Sequence, residues 1–242
     1  MDERLKKIID DSKNIVFFGG AGVSTESNIP DFRSESGLYH AKQEYGYSPE
    51  YMLSRTFYEK DTKTFFDYYK KNLIYQDAMP NKAHLALAKL EAEGKLKAIV
   101  TQNIDGLHQK AGSKVVYELH GSTLRNYCTK CHTFHDLDYI MDPQNCDEDL
   151  IPRCSKCGGI VKPDVVLYEE ALDEMQIEGA VSAIMHADCL IIGGTSLAVY
   201  PAASFIHYFK GKHLVVINMS ETPQDKMAEL VIHEPIGKVM EY

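Results

Sequence analysis

NIVFFGG, running from Asn14 to Gly20, decides the fold class. Two aliphatic and two aromatic residues run without interruption into a pair of glycines. A strand with one wet face would alternate apolar and polar residues. This one does not, so it reads as a strand buried on both faces that ends in a tight turn. KAIVTQN (Lys97 to Asn103), ADCLIIGG (Ala187 to Gly194) and HLVVIN (His213 to Asn218) repeat the pattern. Helical stretches lie between these runs. NKAHLALAKLEAEG offers Asn81 as an N-cap, Leu87 and Leu90 on one face, and Gly94 as a stop. EMQIEGAVSAIMHA spans Glu174 to Ala187, and MDERLKKIIDDSK reads as a charged amphipathic helix. Doubly buried strands alternating with helices predict an α/β fold, a Rossmann-type doubly wound parallel sheet.

Two segments break the alternation. Residues 35–80 contain Tyr39, Tyr45, Tyr47, Tyr51, Tyr58, Tyr68, Tyr69 and Tyr75, eight of the fifteen tyrosines. They read as a helical insert with an aromatic interior, either packed as a small core or lining a ligand channel. Residues 121–164 carry Cys128, Cys131, Cys154 and Cys157 as two CxxC pairs. In a reducing compartment such pairs read as a metal site rather than a disulfide framework. Four thiolates with no open position suit one structural, tetrahedral Zn²⁺ that supports folding and does no chemistry. Cys189, in ADCLIIGG, reads as a buried core residue. Cys146 has no second thiol at ligand spacing and is left out of the metal site.

Composition bounds the rest. The chain has 242 residues with 44% hydrophobic and 25% charged content, the range of globular domains. A net charge of −9 argues against nonspecific nucleic-acid binding, which needs cations to neutralise phosphates. No apolar run reaches the ~18 residues of a membrane span. The charged N-terminus lacks the apolar core of a signal peptide, so a cytoplasmic protein is expected.

Three further patterns point to a site. In Gly19-Gly20-Ala21-Gly22-Val23-Ser24, glycines after a strand can bring backbone N–H groups close to a pyrophosphate. The stretch falls short of GxGxxG and lacks the acidic residue expected further on, so a plain strand-to-helix turn also fits. PDFRS adds Phe32, which could shield a reactive ring, and Arg33, which could pair with a phosphate. TQNID sets Gln102, Asn103 and Asp105 just past a strand's carboxyl end, the edge that faces the ligand crevice of an open α/β sheet. Those amides and that carboxylate could read a carboxamide or ribose hydroxyls, or simply cap a loop. His120 ends the short strand VVYELHG, and a histidine is a residue type suited to act as a general base near neutral pH. His108, read as part of a helix, and His132, an alternative metal ligand, have weaker claims.

These motifs together resemble the sirtuins of bacterial type, NAD-dependent protein-lysine deacylases. GAGVS, PDFRS, TQNIDGLH, ELHG, the paired CxxC motifs, GTSL and VVIN occur in the family's order, and the likeness runs from about residue 3 to the end. The resemblance implies a Rossmann-type NAD-binding domain from residues 1–34, 81–120 and 165–242. A smaller domain would combine the 35–80 helical insert with the 121–164 four-cysteine zinc insert. It implies NAD contacts at Gly20, Ala21, Gly22, Thr25, Phe32, Arg33, Gln102, Ile104, Asp105, Thr195, Ser196 and Asn218, with Ile232 a weak candidate at the adenine end. Asn103 and Asp105 would serve the ribose and nicotinamide pocket, and His120 would be the base. An acyl-lysine oxygen is a poor nucleophile and needs an electrophile with a good leaving group, which C1′ of NAD offers when nicotinamide departs. Expected products are free lysine, nicotinamide and O-acetyl-ADP-ribose.

By the same resemblance, acetylated protein or peptide would bind by strand addition between Val165–Glu170 and Ala198–Tyr200. The family's Phe-Gly-Glu is here Tyr168-Glu169-Glu170, whose two carboxylates would favour basic flanking residues. Sirtuins that remove succinyl or malonyl groups share a Tyr-x-x-Arg pair, and the matching stretch here is Phe66-Asp67-Tyr68-Tyr69, followed by Lys70. Uncharged acyl groups, acetyl first, are therefore expected. Competing readings are ADP-ribosyl transfer to protein, hydride transfer, and a zinc-ribbon module that binds without catalysis.

Overall fold

A computed structural model of the chain describes residues 1–31 and 42–241. Phe32 and Arg33, and Tyr39 of the tyrosine-rich insert, lie outside the described residues. In chain order the elements are α1 (Glu3–Asp11), β1 (Ile15–Gly19), α2 (Pro49–Met52), α3 (Arg55–Lys60), α4 (Thr62–Asn72), α5 (Lys82–Ala92), β2 (Leu96–Thr101), α6 (Leu107–Lys110) and β3 (Val116–Glu118). There follow β4 (Gly121–Cys128), β5 (Phe134–His135), α7 (Leu137–Met141), β6 (Val161–Val165), α8 (Glu174–His186), β7 (Cys189–Gly193), β8 (His213–Ile217), β9 (Leu230–Ile232) and α9 (Ile236–Val239).

The large sheet has the order β3-β2-β1-β7-β8-β9, and every pairing is parallel. β1 lies in the middle, with Phe17 opposite Ile99 on one side and Ile191 on the other. Because side chains alternate along a strand, β1 serves two cores. Ile15 and Phe17 pack with Leu5, Ile9, Leu87 and Leu90 beneath α1 and α5. Val16 and Phe18 pack with Ala180 and Ile184 of α8 and with the 3₁₀ segment Ala202–Tyr208. All five β1 residues are buried, as the unbroken apolar run predicts. This is the doubly wound sheet expected from the sequence.

The helix signals hold in detail. The Asn81 side chain accepts the Ala83 N–H, and the Asn81 backbone N–H donates to His84 Nδ1, closing a capping box at the start of α5. Gly94, just past the end of α5, has φ 74°, a left-handed conformation that glycine takes without steric cost. Asp2 caps α1, whose Leu5, Ile8 and Ile9 face the core.

The remaining elements form a third hydrophobic cluster, away from the large sheet. β5, β4 and β6 make a three-stranded antiparallel sheet. Its cluster joins Phe57, Phe65, Phe66, Tyr68 and Tyr69 of α3 and α4 to Cys128, Cys154, Ile140 and Val161. Phe65 stacks on Tyr69 with ring centroids 5.8 Å apart and meets Phe66 edge-on at 5.4 Å. Tyr68 and Tyr69 are almost wholly buried. Most rings of the tyrosine-rich segment thus build a core rather than a channel, while Tyr75 lines the cleft described next.

Candidate active site

The sheet extends from β1 to β2 and β3 on one side, and to β7, β8 and β9 on the other. Loops after β1 and β7 therefore diverge at their carboxyl ends and leave a crevice, the place where open α/β sheets bind ligands. Gly22 donates its N–H to the Gly194 carbonyl at 2.8 Å across this point. A Cβ on Gly22 would lie 2.8 Å from Gly194 Cα, and one on Gly20 would lie 2.9 Å from Thr195 Cβ. Here the glycines of the turn let two loops touch backbone to backbone, a packing role that the strand-then-glycine pattern does not reveal by itself.

A cavity of about 210 Å³ opens beside this contact, walled by both the large sheet's loops and the smaller cluster. Ala21, Gln102, Asn103, Ile104, Asp105 and His120 all line it. The Asp105 carboxylate is tied at both oxygens. Oδ2 accepts the Ser24 hydroxyl at 2.7 Å, and Oδ1 accepts the Leu107 N–H at 2.9 Å at the start of α6. Asn103 Nδ2 donates to Ser24 Oγ at 3.1 Å, so Ser24 joins the loop after β1 to the loop after β2. Ser24 is 1% exposed. Its place at the end of GAGVS is the only sign of it in the sequence, which gives it no role. Gln102 Nε2 donates to Thr195 Oγ1 at 3.1 Å, which bridges the loops after β2 and β7.

His120 lies just past β3. Its Nδ1 is 2.9 Å from the Gln102 carbonyl. A carbonyl only accepts, so the neutral ring carries its proton on Nδ1 and its lone pair on Nε2, the form a general base requires. Glu118, two residues earlier, is 7% exposed and bonds Arg125 of β4 at 2.6 Å, while Arg125 Nε bonds Asp164 at 2.8 Å. This triad ties β3 to the antiparallel sheet, and no sequence motif announces it.

Other expected contacts lie apart from this cavity wall. Thr25 is exposed and its hydroxyl donates to the Gly22 carbonyl at 3.0 Å. Ser196 is exposed. Asn218, at the end of β8, donates its N–H to the Ile232 carbonyl and its side-chain amide to the Ser220 carbonyl. Ile232 itself is 5% exposed and packs within the core under α1 and α5. His108 is buried on α6 against His84, with ring centroids 4.8 Å apart. Burial pushes His84 down to about 4 and His108 down to about 3, so both rings stay neutral near neutrality.

The four paired cysteines meet. All their Sγ atoms lie within 4.8 Å of one another, and three pairs are 3.3, 3.4 and 3.7 Å apart. Tetrahedral Zn–S bonds of about 2.3 Å put sulfurs about 3.8 Å apart, so the set fits one zinc ion with no open position. Three polar groups surround it: the Lys130 N–H, which donates to Cys128, the Thr133 hydroxyl beside Cys131, and His135 Nε2 at 3.4 Å from Cys154. Such outer contacts orient and stabilise thiolate ligands. His132 is exposed and is not in the cluster, nor is Cys146, which sits 3.4 Å from Lys70 Nζ.

The acidic pair after β6 is occupied internally. The Glu169 carboxylate accepts from Thr56, and that of Glu170 accepts the Leu167 N–H and Lys162 Nζ. The expected preference for basic flanking residues therefore loses most of its basis at Glu170, whose charge is already paired. No helix among the described residues is long and apolar enough to cross a membrane.

Known proteins are similar to this chain in sequence and in overall structure. The Sir2 family model matches residues 20–201. An NAD-dependent protein deacetylase of Clostridium acetobutylicum is 62% identical over 237 residues, covering 98% of this chain and 95% of its own. Sir2 solved with a p53 peptide and NAD⁺ superposes with a TM-score of 0.87 at 32% identity, over 99% of this chain and 95% of that one. Sir2 solved with an inhibitor, 2′-O-acetyl-ADP-ribose and a deacetylated p53 peptide gives 0.84 at 32%, over 98% and 95%. A match over most of the chain, and relatives aligned along nearly all of it, leave one assignment: the chain belongs to the Sir2 family.

Proposed function

We propose that the protein is an NAD-dependent protein-lysine deacetylase that releases nicotinamide and O-acetyl-ADP-ribose. The observation that carries this reading is His120, whose Nδ1 proton is held by a backbone carbonyl on the wall of a cavity it shares with Asn103 and Asp105. The close relatives' activity and the neighbours' bound NAD⁺ and peptides support it.

The donor set fits NAD. Gly20, Ala21, Gly22 and Thr25 form the loop after β1, Gln102, Ile104 and Asp105 the loop after β2, Thr195 and Ser196 the loop after β7, and Asn218 the end of β8. When bound there, NAD supplies an electrophilic C1′ with nicotinamide as leaving group. The chain's own residues do the rest. Ser24 and the α6 N-terminus fix the Asp105 carboxylate, and Asn103 is held through Ser24, so a ribose or carboxamide would meet groups that are already oriented. His120 Nε2 takes the proton from a ribose hydroxyl. One Zn²⁺ on Cys128, Cys131, Cys154 and Cys157 holds the smaller sheet together. The acetylated segment would lie as a strand between Val165–Glu170 and Ala198–Tyr200. The division into a NAD-binding domain (1–34, 81–120 and 165–242) and a small domain (35–80 with 121–164) is supported by the separate packing of the two regions, although Val165 and Leu167 pack into the small domain's cluster. A cytoplasmic location is supported by six thiols that are all free of disulfides.

Among the described residues lining the cavity there is no lysine or arginine. Lys70 turns away, bonding the Leu150 carbonyl at 3.1 Å. Uncharged acyl groups therefore fit, and acetyl should exceed succinyl.

The test is nicotinamide release from NAD with acetyl-lysine peptide, for the wild-type protein and His120→Ala. Peptide-dependent release that falls by about two to four powers of ten in the variant supports the reading, since general-base catalysis contributes about that much. Equal turnover of succinyl-lysine peptide would sink the acyl preference. ADP-ribose gained by a protein acceptor would favour transfer instead, and no NAD turnover at all would favour a binding module.

A further inference from the structure

The segment Val165–Glu170 carries one backbone oddity. Glu169 has φ 76°, the left-handed region that non-glycine residues rarely occupy. Such a conformation is strained and persists where surrounding contacts over-determine it. Those contacts are present. The Glu169 carboxylate accepts both the Thr56 N–H at 2.9 Å and the Thr56 hydroxyl at 2.7 Å, in the first turn of α3. These bonds hold its carboxyl below the ordinary carboxylate range.

The neighbours act in the same direction. Tyr168 donates its N–H to the Leu53 carbonyl and accepts the Arg55 N–H, a short parallel bridge to the turn before α3. Glu170 turns its carboxylate back to the Leu167 N–H at 2.9 Å and lies 3.7 Å from Arg55. The same segment, including Val166, Leu167 and Tyr168, lines the cavity. It is thus bonded to the turn and first residues of α3 while it walls the cleft.

We propose that Glu169 is a positioning residue that latches the cleft segment Val165–Glu170 to α3 and so sets the edge along which the acyl-peptide pairs. This rests on the deacetylase reading for its substrate, though the latch is a property of the chain. A glycine at 169 would take the left-handed turn without strain but would leave the segment tied to the turn before α3 and to α3 itself only by the Tyr168 bridge and the Arg55–Glu170 pair. Here the left-handed turn is kept with a side chain that ties it down. Peptide recognition should therefore depend on residue 169, while NAD binding, which uses other loops, should not.

The experiment uses Glu169→Gly, Glu169→Gln and Thr56→Val. Glycine tolerates the backbone angle, so Glu169→Gly folds even if larger changes do not. Its KM for acetyl-lysine peptide should rise about five- to twentyfold, with kcat and the KM for NAD within about twofold of wild type. Glu169→Gln keeps an acceptor oxygen and should restore most of the peptide KM. Thr56→Val loses only the hydroxyl bond and should fall between them. Hydrogen exchange of residues 165–170 should speed up about tenfold or more in Glu169→Gly. A Glu169→Gly protein with unchanged peptide KM and unchanged exchange would overturn the latch. If wild type released no nicotinamide with acetyl peptide, the deacetylase reading would fall, and exchange alone would still decide the latch.

Discussion

The parallel sheet and the smaller antiparallel module are held together by different means. β1 and β7 are buried along their whole length between two apolar layers. The module buries fewer aliphatic residues and counts Cys128 and Cys154 among its core. Its order rests on packed rings, on a metal, and on ion pairs that moor it to β3. A parallel sheet of this size is stabilised by area removed from water, whereas a small module needs a local crosslink to fix its shape.

The largest expected effect separates the two regions outright. Replacing Cys131 with Ser, or stripping the metal with a chelator, should unfold the module and abolish nicotinamide release, while the parallel sheet keeps its far-ultraviolet circular dichroism. Metal analysis should give about one zinc per wild-type chain. A Cys131→Ser protein with native near-ultraviolet dichroism and full turnover would erase the contrast.

A second test probes the region of the parallel sheet, where the weak point is polar. His84 and His108 pack on each other near Asp105, with Phe17 also against His108. Neither His108 nitrogen has a hydrogen-bond partner among the described residues. Both histidines titrate lower in the folded chain than the ordinary 6.5, so the unfolded chain binds protons first. Their cost to stability is absent above about pH 6.5, grows as pH falls, and levels off below about 3. Between about pH 7 and 4 the wild type should lose on the order of 3 kcal/mol more than His108→Leu, read by urea unfolding at each pH. Parallel pH curves would mean the pair is not what acid attacks.

The smallest effect sits at the seam. Arg125→Met removes the cation between Glu118 and Asp164. The Glu118 side chain is only 8% exposed, but Arg125 is 37% and Asp164 is 42%, so solvent discounts the loss. About 1–2 kcal/mol is expected in urea unfolding, and Glu118→Gln in the same chain should recover part of it. A larger loss with weakened peptide binding would show that the seam also governs how the two regions face each other.

The two regions also differ in how far their sequences can be read. β1, β2, β7 and β8 are legible because a strand buried on both faces writes an unbroken apolar run. β9 is not, since three residues, Leu230 to Ile232, between Glu229 and His233 carry too little pattern to register. β4 and β6 are hidden for another reason: their charged and polar residues pair across the module, as Arg125 does with Asp164, and mask any alternation. At the site, the chemistry-bearing types stand out, because His120, Asn103, Asp105 and the cysteines lie in dense motifs. Ser24, Glu118 and Glu169 do not, for each acts through a partner that the sequence does not place beside it. The charge of Tyr168-Glu169-Glu170 is visible, but its use is not, because a free carboxylate and one bonded to a helix look alike in one dimension.

His120 owes its proton placement to a main-chain oxygen. Every amino acid at position 102 supplies that same oxygen, so no exchange of side chain there can switch the ring to its other tautomer. Drift or engineering could rewrite Gln102 and its bridge to Thr195 while the base stays correctly protonated. Placement of the Nδ1 proton is thus insulated from side-chain substitution at position 102 and follows the path of the backbone there.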